Sequence, residues 1–205
     1  MDGVIFDSEI KVIECWKVIA DKYNIEDIEA SCRDCLGLNR EATKIYFKGK
    51  YGRDFPYDMY KSEMSNLFHE RYGQGRLPIK PGVKELLEYL KGKDKRLALA
   101  SSTRSEIVRQ ELSDGGLLDF FDVVVGGDMV AKSKPDPEIF LTACERLGVD
   151  AACAVGIEDS YNGIRALSAG GIRAIMVPDL AVPDDEMREK AEVILPDLIA
   201  VKEYL

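Results

Sequence analysis

The stretch RLALASST, at residues 96–103, is a short apolar run that passes directly into three hydroxyl residues. A run of this length, bounded by polar residues, predicts a buried strand over residues 96–100. The sequence beyond it predicts a helix from Ser105 and a second strand over residues 123–125. A strand, a helix and another strand in this order predict two parallel strands joined by a crossover helix.

The same alternation extends in both directions from this unit. Upstream, Pro81 and Gly82 open a predicted helix. Downstream, the pattern predicts strands over residues 153–157, 172–177 and 193–195, with helices from Pro135 to Leu147 and from Tyr161. Strands that alternate with helices are typical of a parallel sheet covered by helices on both faces. We therefore expect an α/β fold with a Rossmann-like parallel sheet.

The sequence from Glu9 to about Gly75 lacks this alternation. Its apolar residues recur at helical spacing, and no strand is predicted there. Two apolar faces are predicted, one formed by Ile10, Ile13, Trp16, Val18 and Ile19 and the other by Ala42, Ile45, Tyr46 and Phe47. Asn39 is suited to cap a helix, and Pro56 is suited to start a further one. This part of the chain is therefore predicted to be helical.

The helical stretch divides the α/β pattern in two. The chain passes between the two patterns near residues 7–9 and again near residues 77–81. A helical unit inserted between the first strand of an α/β domain and its next helix would produce this order. We therefore expect an α/β core domain formed by residues 1–8 and 79–205, with a helical domain over residues 9–78.

The composition is that of a folded, acidic protein. The chain has 205 residues, a mass of 22.9 kDa, 46% hydrophobic residues and a net charge of −9. This balance excludes a broad basic surface for nucleic acid or anionic lipid. No apolar run approaches the roughly 18 residues of a membrane span, and a secretory signal is not recognised. We expect a cytoplasmic monomer that binds neither nucleic acid nor membrane.

The cysteines are odd in number and lack the spacing of a disulfide framework. They are Cys15, Cys32, Cys35, Cys144 and Cys153. Cys32 and Cys35 could also form half of a zinc site or a redox pair. No second pair of cysteines or histidines completes a metal set, since His69 is the only histidine. We therefore favour reduced thiols with a structural role.

Polar side chains follow two of the predicted strands. Ser101 comes directly after one strand, and Glu158 and Asp159, whose carboxylates suit Mg²⁺, come after another. Lys134 lies just before a helix start, and Asp2 lies near the first residue. In an open parallel sheet the carboxyl ends of the strands meet at one edge, where ligands bind. Each group could instead cap a helix, but their joint order favours a functional site.

The order of these residues resembles the haloacid dehalogenase (HAD) superfamily over nearly the whole chain. The first family motif reads Asp-x-Asp-Gly-x-x-x-Asp-Ser-Glu, and residues 1–9 match it from the x onward. The hydroxyl of the second motif falls on Ser101, and the lysine of the third falls on Lys134. The acids of the fourth fall on Glu158 and Asp159. A helical cap inserted after the first motif belongs to the same family, in which the chain is most similar to sugar-phosphate phosphatases and β-phosphoglucomutase.

The resemblance implies phosphoryl transfer through an aspartyl-phosphate, with Mg²⁺ as cofactor and a small phosphorylated metabolite as substrate. Asp2 would act as the acid and base of the reaction and would lend its backbone carbonyl to Mg²⁺. Asp159 would be the main metal carboxylate, with Glu158 as a direct or outer ligand. The groups implied to hold the phosphate are Ser101, Ser102 and Lys134.

The chain departs from the family motif at its first aspartate, which is the nucleophile. That residue, and the strand that leads to it, would precede Met1. In the family this strand lies between the strands that here end at Ser101 and Glu158, so we expect an empty slot with unpaired backbone groups there. We favour a polypeptide that starts about seven residues earlier, roughly one strand length. A chain that begins at Met1 would instead be a catalytically inactive HAD-like binding module.

Two features of the helical region bear on the reaction. Residues 37–41, GLNRE, are similar to the substrate-facing cap loop of the family, in which Arg40 would meet a phosphate or a sugar. A solvated helix start explains these residues equally well. Phosphoglucomutases of this type carry a histidine where this sequence has Val12, and His69 is expected at the surface. We therefore favour a phosphatase, with a phosphosugar mutase as the alternative and dehalogenation as the weakest interpretation.

Overall fold

The computed structural model describes residues 1–36, 38 and 40–205. Gly37 and Asn39 lie outside the described residues, and so does the helix cap predicted at Asn39. The helices of that part of the chain are α1 (Ser8–Tyr23), α2 (Ile28–Asp34), α3 (Arg40–Tyr51), α4 (Tyr57–Tyr72), α5 (Val83–Gly92), α6 (Ser105–Asp114), α7 (Glu138–Leu147), α8 (Tyr161–Ala169), α9 (Asp185–Lys190) and α10 (Leu198–Tyr204). The strands are β1 (Ala98–Ser101), β2 (Val123–Gly126), β3 (Val155–Glu158), β4 (Arg173–Met176) and β5 (Val193–Ile194). None of the described helices is long and apolar enough to cross a membrane.

The strands of the described residues form two parallel sheets. β1 pairs with β2, and β4 lies between β3 and β5. No ladder joins β1 to β3 within the described part of the chain. The expected α/β class with parallel strands and a helical region is confirmed, but two sheets replace the single sheet. The physical reason is that no described segment supplies a strand between β1 and β3, so each keeps one edge without a strand partner.

The predicted element starts at residues 96, 135, 153 and 172 precede the observed starts by one to three residues, and two of these differences have a local cause. The strand expected from Cys153 begins at Val155, because the Asp150 carboxylate caps a short 3₁₀ turn that includes Cys153. The helix expected from Pro135 begins at Glu138, since a second proline takes the N-cap position before it. Both differences arise from local capping, which decides where an element begins without changing its type.

One hydrophobic cluster spans both sheets. Strand residues of β1, β2 and β4 are buried in it, as are helix residues of α5, α6 and α10. Residues 1–6 form a tight turn whose apolar side chains are buried in the same cluster, namely Met1, Val4, Ile5 and Phe6. The core therefore packs the N-terminal turn between the helices and the strands.

The four N-terminal helices have a hydrophobic cluster of their own. Its buried members include Trp16, Ile19, Phe47, Tyr57 and Met64, and the ring centroids of Trp16 and Phe47 are 5.2 Å apart. Two residues of the predicted apolar faces face solvent instead, since Val18 is 38% exposed and Ile45 is 65% exposed. Ile45 lies two residues, or about 200°, around the helix from buried Phe47 and therefore faces solvent.

The helical block is joined to the strands by two connections that pair with each other. The amide of Asp7 donates to the carbonyl of Pro78 at 2.9 Å, and the amide of Lys80 donates to the carbonyl of Ile5 at 2.8 Å. A bridge between Phe6 and Ile79 lies between these bonds. The outgoing and returning chains thus run side by side, which brings residues 7–9 next to Lys80.

The cysteine thiols differ in exposure, and this predicts their reactivity. All five are free; Cys153 is exposed, and the other four are buried or half-buried. Burial raises the pKa of Cys32 to about 12, and burial together with Asp34 raises that of Cys35 to about 11. Because the thiolate is the reactive form, one thiol per chain should react rapidly with Ellman's reagent at pH 8.

The matched variant for this measurement is Cys153→Ser, which should abolish the fast phase, while all five thiols of the parent chain should react after denaturation. Rapid modification of Cys32 or Cys35 in the native protein would instead favour the redox-pair interpretation. The high thiol pKa values of this pair argue against that interpretation.

Candidate active site

The N-terminal turn brings Asp2 and Gly3 to the carboxyl end of β3. The amides of residues 4, 5 and 6 approach the carbonyl of Met1 at 3.3, 2.8 and 3.3 Å. Gly3 has a φ of +70°, and a Cβ on it would lie 2.1 Å from Oδ2 of Asp159. Only glycine accommodates both the backbone angle and this approach. The turn therefore places the Asp159 carboxylate directly against the backbone next to Asp2.

Asp2 is also linked to the end of β1. Its carboxylate accepts a hydrogen bond from Ser8 Oγ at 2.7 Å and lies 3.5 Å from Thr103 Oγ1. Ser101 is buried at the end of β1, and its Oγ accepts a hydrogen bond from the Thr103 amide at 3.1 Å. Ser102 is exposed. Thr103 thus connects Asp2 to Ser101 at the end of β1.

Lys134 and Glu158 form a buried ion pair, with side chains 11% and 7% exposed. The other carboxylate oxygen of Glu158 accepts hydrogen bonds from the amides of Asp159 and Ser160 and from Ser160 Oγ. Burial alone would raise the pKa of Glu158, but the charges of Lys134 and of the N-terminal amino group, together with hydrogen bonds from Lys134 and the Ser160 amide, lower it to about 2. Both oxygens of Glu158 are therefore occupied by positive or donor groups.

An acidic cluster lies beside this ion pair. It consists of Glu9 at the start of α1, Asp159 after β3 and Asp179 after β4, each with one carboxylate oxygen within 4.8 Å of the others. Burial, followed by the charges of Asp179 and Asp2, raises the pKa of Glu9 to about 7. Burial, then Glu158 and Glu9, raises the pKa of Asp159 well above its ordinary value. Crowded carboxylates of this kind favour either protons or a cation.

The cluster has the donor chemistry of a divalent-cation site. Mg²⁺ binds carboxylate and carbonyl oxygens, and three carboxylates are available here. Among the three ligands implied by the resemblance, Asp159 belongs to the cluster. Glu158 is bonded to Lys134, and Asp2, which is expected to contribute its backbone carbonyl, has its carboxylate bonded to Ser8. The residues present therefore fit Mg²⁺, and Asp159 belongs both to the acidic cluster and to the ligands implied by the resemblance.

A cleft of about 380 Å³ opens next to this cluster, between the helical block and the strand ends. From the helical side it is lined by Glu9, Arg33, Asp34, Leu36 and Leu38, and from the other side by residues 159–162, Arg165 and residues 180–182. A volume of this size accommodates a small metabolite. Asp159 lines the same cleft, so a ligand bound in it would contact the acidic cluster.

Several residues of this region were not singled out by sequence. Asp179 follows β4 as Asp159 follows β3, so its position after a strand is a sequence signal of the same kind. Arg33 and Arg165 lie on helices and give no sequence signal. Arg40, the predicted cap arginine, is exposed and lies 3.5 Å from Asp58. Of the predicted cap loop, Leu38 lines the cleft, and Gly37 and Asn39 are not described.

Comparison with known families identifies the chain. A family model described as haloacid dehalogenase-like hydrolase matches residues 1–177, most of the protein. The chain belongs to this family. The haloacid dehalogenase-like hydrolases are enzymes, and phosphatases are among the relatives of this member. The resemblance found in the four motifs is thereby confirmed.

Three relatives illustrate the similarity of this HAD-family protein to known proteins. A phosphorylated carbohydrates phosphatase from Thermotoga maritima is 36% identical over 179 residues, covering 85% of this chain and 81% of that protein. The β-phosphoglucomutase of Bacillus subtilis is 31% identical over 187 residues, covering 86% and 80%. The crystal structure of a candidate β-phosphoglucomutase from T. maritima matches with a TM-score of 0.78 and 32% identity, covering 100% and 97%.

Proposed function

We propose that this HAD-family protein is a Mg²⁺-dependent phosphatase that acts on a small phosphorylated sugar. The observation that carries the proposal is the convergence of Asp2, Ser101, Lys134, Glu158 and Asp159 at the strand ends. Contacts run from Asp2 through Thr103 to Ser101, from Gly3 to Asp159, and from Glu158 to Lys134. The named relatives that act on phosphorylated carbohydrates support the substrate class.

In this proposal, residues 9–78 act as a cap over a core formed by residues 1–8 and 79–205. The cleft between the helical block and the strand ends supports this division, because its walls come from both. The separate hydrophobic cluster of the helical block supports it as well. A ligand in the cleft would be shielded from water on the side of α2 and would face the acidic cluster on the other.

The phosphate would be bound by Ser101, Ser102 and Lys134, with Arg40 as a cap group for a distal phosphate or sugar. Lys134 is rigidly held, since its ammonium pairs with Glu158 and lies 4.5 Å from the centroid of the Phe140 ring. Fixed charge at a phosphate stabilises the transferring group without reorganisation. Mg²⁺, held by the Asp2 carbonyl and Asp159 with Glu158 as an outer ligand, would supply further neutralisation of phosphate charge.

The nucleophile would be an aspartate directly before Met1. Its carboxylate would attack phosphorus and displace the sugar oxygen, which takes the proton of Asp2. Asp2 would then remove a proton from water, whose oxygen attacks phosphorus, releases inorganic phosphate and regenerates the nucleophile. One observation supports this position: within the described part of the chain, β1 and β3 each lack one strand partner.

The test compares the 205-residue chain with a longer form, which also contains the residues encoded in frame directly upstream of the Met1 codon. We expect the longer form to release phosphate from a panel of sugar phosphates in Mg²⁺ and to lose this activity in EDTA. Asp2→Asn in that form should lower the rate by about 10²–10⁴, the usual contribution of general acid–base catalysis. Asp119→Asn, an exposed carboxylate change, is the control and should leave the rate unchanged.

Two results would contradict parts of the proposal. Equal rates for the two chain lengths, with intact mass confirming Met1 as the first residue of the shorter one, would refute the upstream nucleophile. An inert longer form would favour a binding module without catalysis.

A phosphosugar mutase is the second candidate, because two of the relatives are named as β-phosphoglucomutases. Val12 occupies the place of the mutase histidine, and His69 is exposed at the end of α4, which favours the phosphatase. The two reactions differ in product, since a mutase moves phosphate between positions of one sugar whereas a phosphatase releases it. Phosphorus NMR of the reaction mixture distinguishes these outcomes.

A further inference from the structure

Asp179 is a buried carboxylate that the proposed phosphatase reaction does not use. Its side chain is 9% exposed and lies just after β4. Oδ1 accepts a hydrogen bond from Lys80 Nζ at 2.5 Å. Oδ2 is buried and has no hydrogen-bond partner within the described residues. Because buried acceptors are normally satisfied, this oxygen points to a positively charged or donor group that binds here.

The neighbours of Asp179 indicate which kind of group that is. An oxygen of its carboxylate lies within 4.8 Å of carboxylate oxygens of Glu9 and Asp159. Among the described residues, these three acidic groups face the ammonium of Lys80, which pairs with Asp179, and the amino terminus of Met1, which acts on Asp159. The local charge is therefore not balanced by protein groups, and three oxygen donors at this spacing suit a hard divalent cation.

We propose that Asp179 is an additional acidic side chain of the divalent-cation site, together with Asp159 and Glu9. The inference deepens the proposed function and rests on it for the identity of the cation. Asp179 lies outside the four motifs, so the site would include an acidic residue that none of the motifs contains. Glu9 begins the first helix of the helical block, and the other two acids follow core strands, so a bound cation would also tie these two parts together.

Lys80 would then compete with the cation for Asp179. Its backbone is fixed on the returning connection by the bond from its amide to Ile5. Its ammonium is the positive group on Asp179, so its removal leaves the acidic cluster more negative. The proposal therefore predicts opposite effects for the two partners of one ion pair: loss of Asp179 weakens cation binding, and loss of Lys80 strengthens it.

The experiment measures Mn²⁺ binding to the 205-residue chain from the electron paramagnetic resonance signal of free Mn²⁺. We expect Asp179→Asn to weaken binding about tenfold, a change of about 1.4 kcal/mol. Lys80→Met should tighten binding by roughly threefold. The matched control is Asp185→Asn, which removes one exposed charge on α9 and should leave the affinity unchanged.

Circular dichroism and thermal melting verify that each variant folds. If Asp179→Asn fails to fold because Lys80 is left unpaired, the Lys80→Met/Asp179→Asn double variant removes both charges. It should bind Mn²⁺ more weakly than Lys80→Met alone.

The outcomes separate this inference from the proposed function. Unchanged affinity in Asp179→Asn, with loss of binding in Asp159→Asn, would make Asp179 a structural partner of Lys80 only. The inference would then be wrong, and the phosphatase proposal would stand. Absence of Mn²⁺ binding by the unaltered chain would refute the cation site itself. Sugar phosphate hydrolysis by the longer chain is measured independently of both results.

Discussion

Lys134→Met is expected to lower the free energy of unfolding by about 3–5 kcal/mol, because it leaves the buried carboxylate of Glu158 without its cation. The two side chains are 11% and 7% exposed, so water cannot replace the ammonium. Mg²⁺-dependent phosphate release by the longer chain should also be lost. Urea unfolding at pH 7 and a phosphate release assay measure the two effects.

A double variant separates stability from catalysis. Lys134→Met combined with Glu158→Gln removes both charges, while the side-chain amide introduced by the second change keeps a carbonyl oxygen that can accept from the Asp159 and Ser160 amides. We expect it to recover much of the lost stability, with a coupling of about 0.5–3 kcal/mol between the two sites, while phosphate release stays absent. If Lys134→Met were as stable as the parent chain, the ion pair would not be buried as described.

Gly163→Ala is expected to have the second large effect. A Cβ on Gly163, in α8, would lie 2.0 Å from the carboxyl carbon of Glu158 and 2.3 and 2.4 Å from its two oxygens. The carboxylate cannot yield without breaking its bonds to Lys134 and to the Asp159 and Ser160 donors. We expect a loss of about 1–3 kcal/mol in unfolding free energy and a severe loss of phosphate release.

The matched control is Gly49→Ala. Gly49 also lies inside a helix, α3, but a Cβ there would meet nothing within 4 Å. Alanine is favoured over glycine in an open helix interior, so this change should stabilise the chain by about 0.5–1 kcal/mol. The two substitutions are chemically identical, but only the Cβ at Gly163 overlaps another side chain. We therefore expect them to shift the thermal melting temperature in opposite directions. A neutral or stabilising Gly163→Ala would show that Glu158 can move freely.

Element types and the family were predictable from local sequence, because both are encoded in short stretches. Helical spacing in residues 9–78 and apolar runs such as 96–100 indicate structure without knowledge of distant residues. The motif residues Ser101 and Glu158 were found because each follows a strand, and the strand ends of a parallel fold converge. Boundaries were less predictable, as at Cys153, where one capping carboxylate displaced the strand start.

The remaining features depend on residues far apart in the chain. Whether Ile45 or Phe47 enters the core is decided by the packing of α3 against the other helices, which the apolar pattern alone leaves open. The Lys80–Asp179 pair joins residues 99 positions apart, and although Asp179 follows a strand, the local sequence does not indicate that Lys80 contacts it. The two side chains become buried within the acidic cluster only when the returning connection that carries Lys80 packs next to the end of β4.

The sequence by itself determined that this protein has helices followed by alternating strands and helices, and which four motifs place it among the haloacid dehalogenase-like hydrolases. Periodicity and motif spacing are local properties, which folding does not alter. Only the tertiary structure decided that the strands form two sheets, that Lys134 neutralises Glu158, and that Glu9 and Asp179 join Asp159. Those outcomes depend on distances and desolvation between side chains from separate elements, and a linear sequence contains neither.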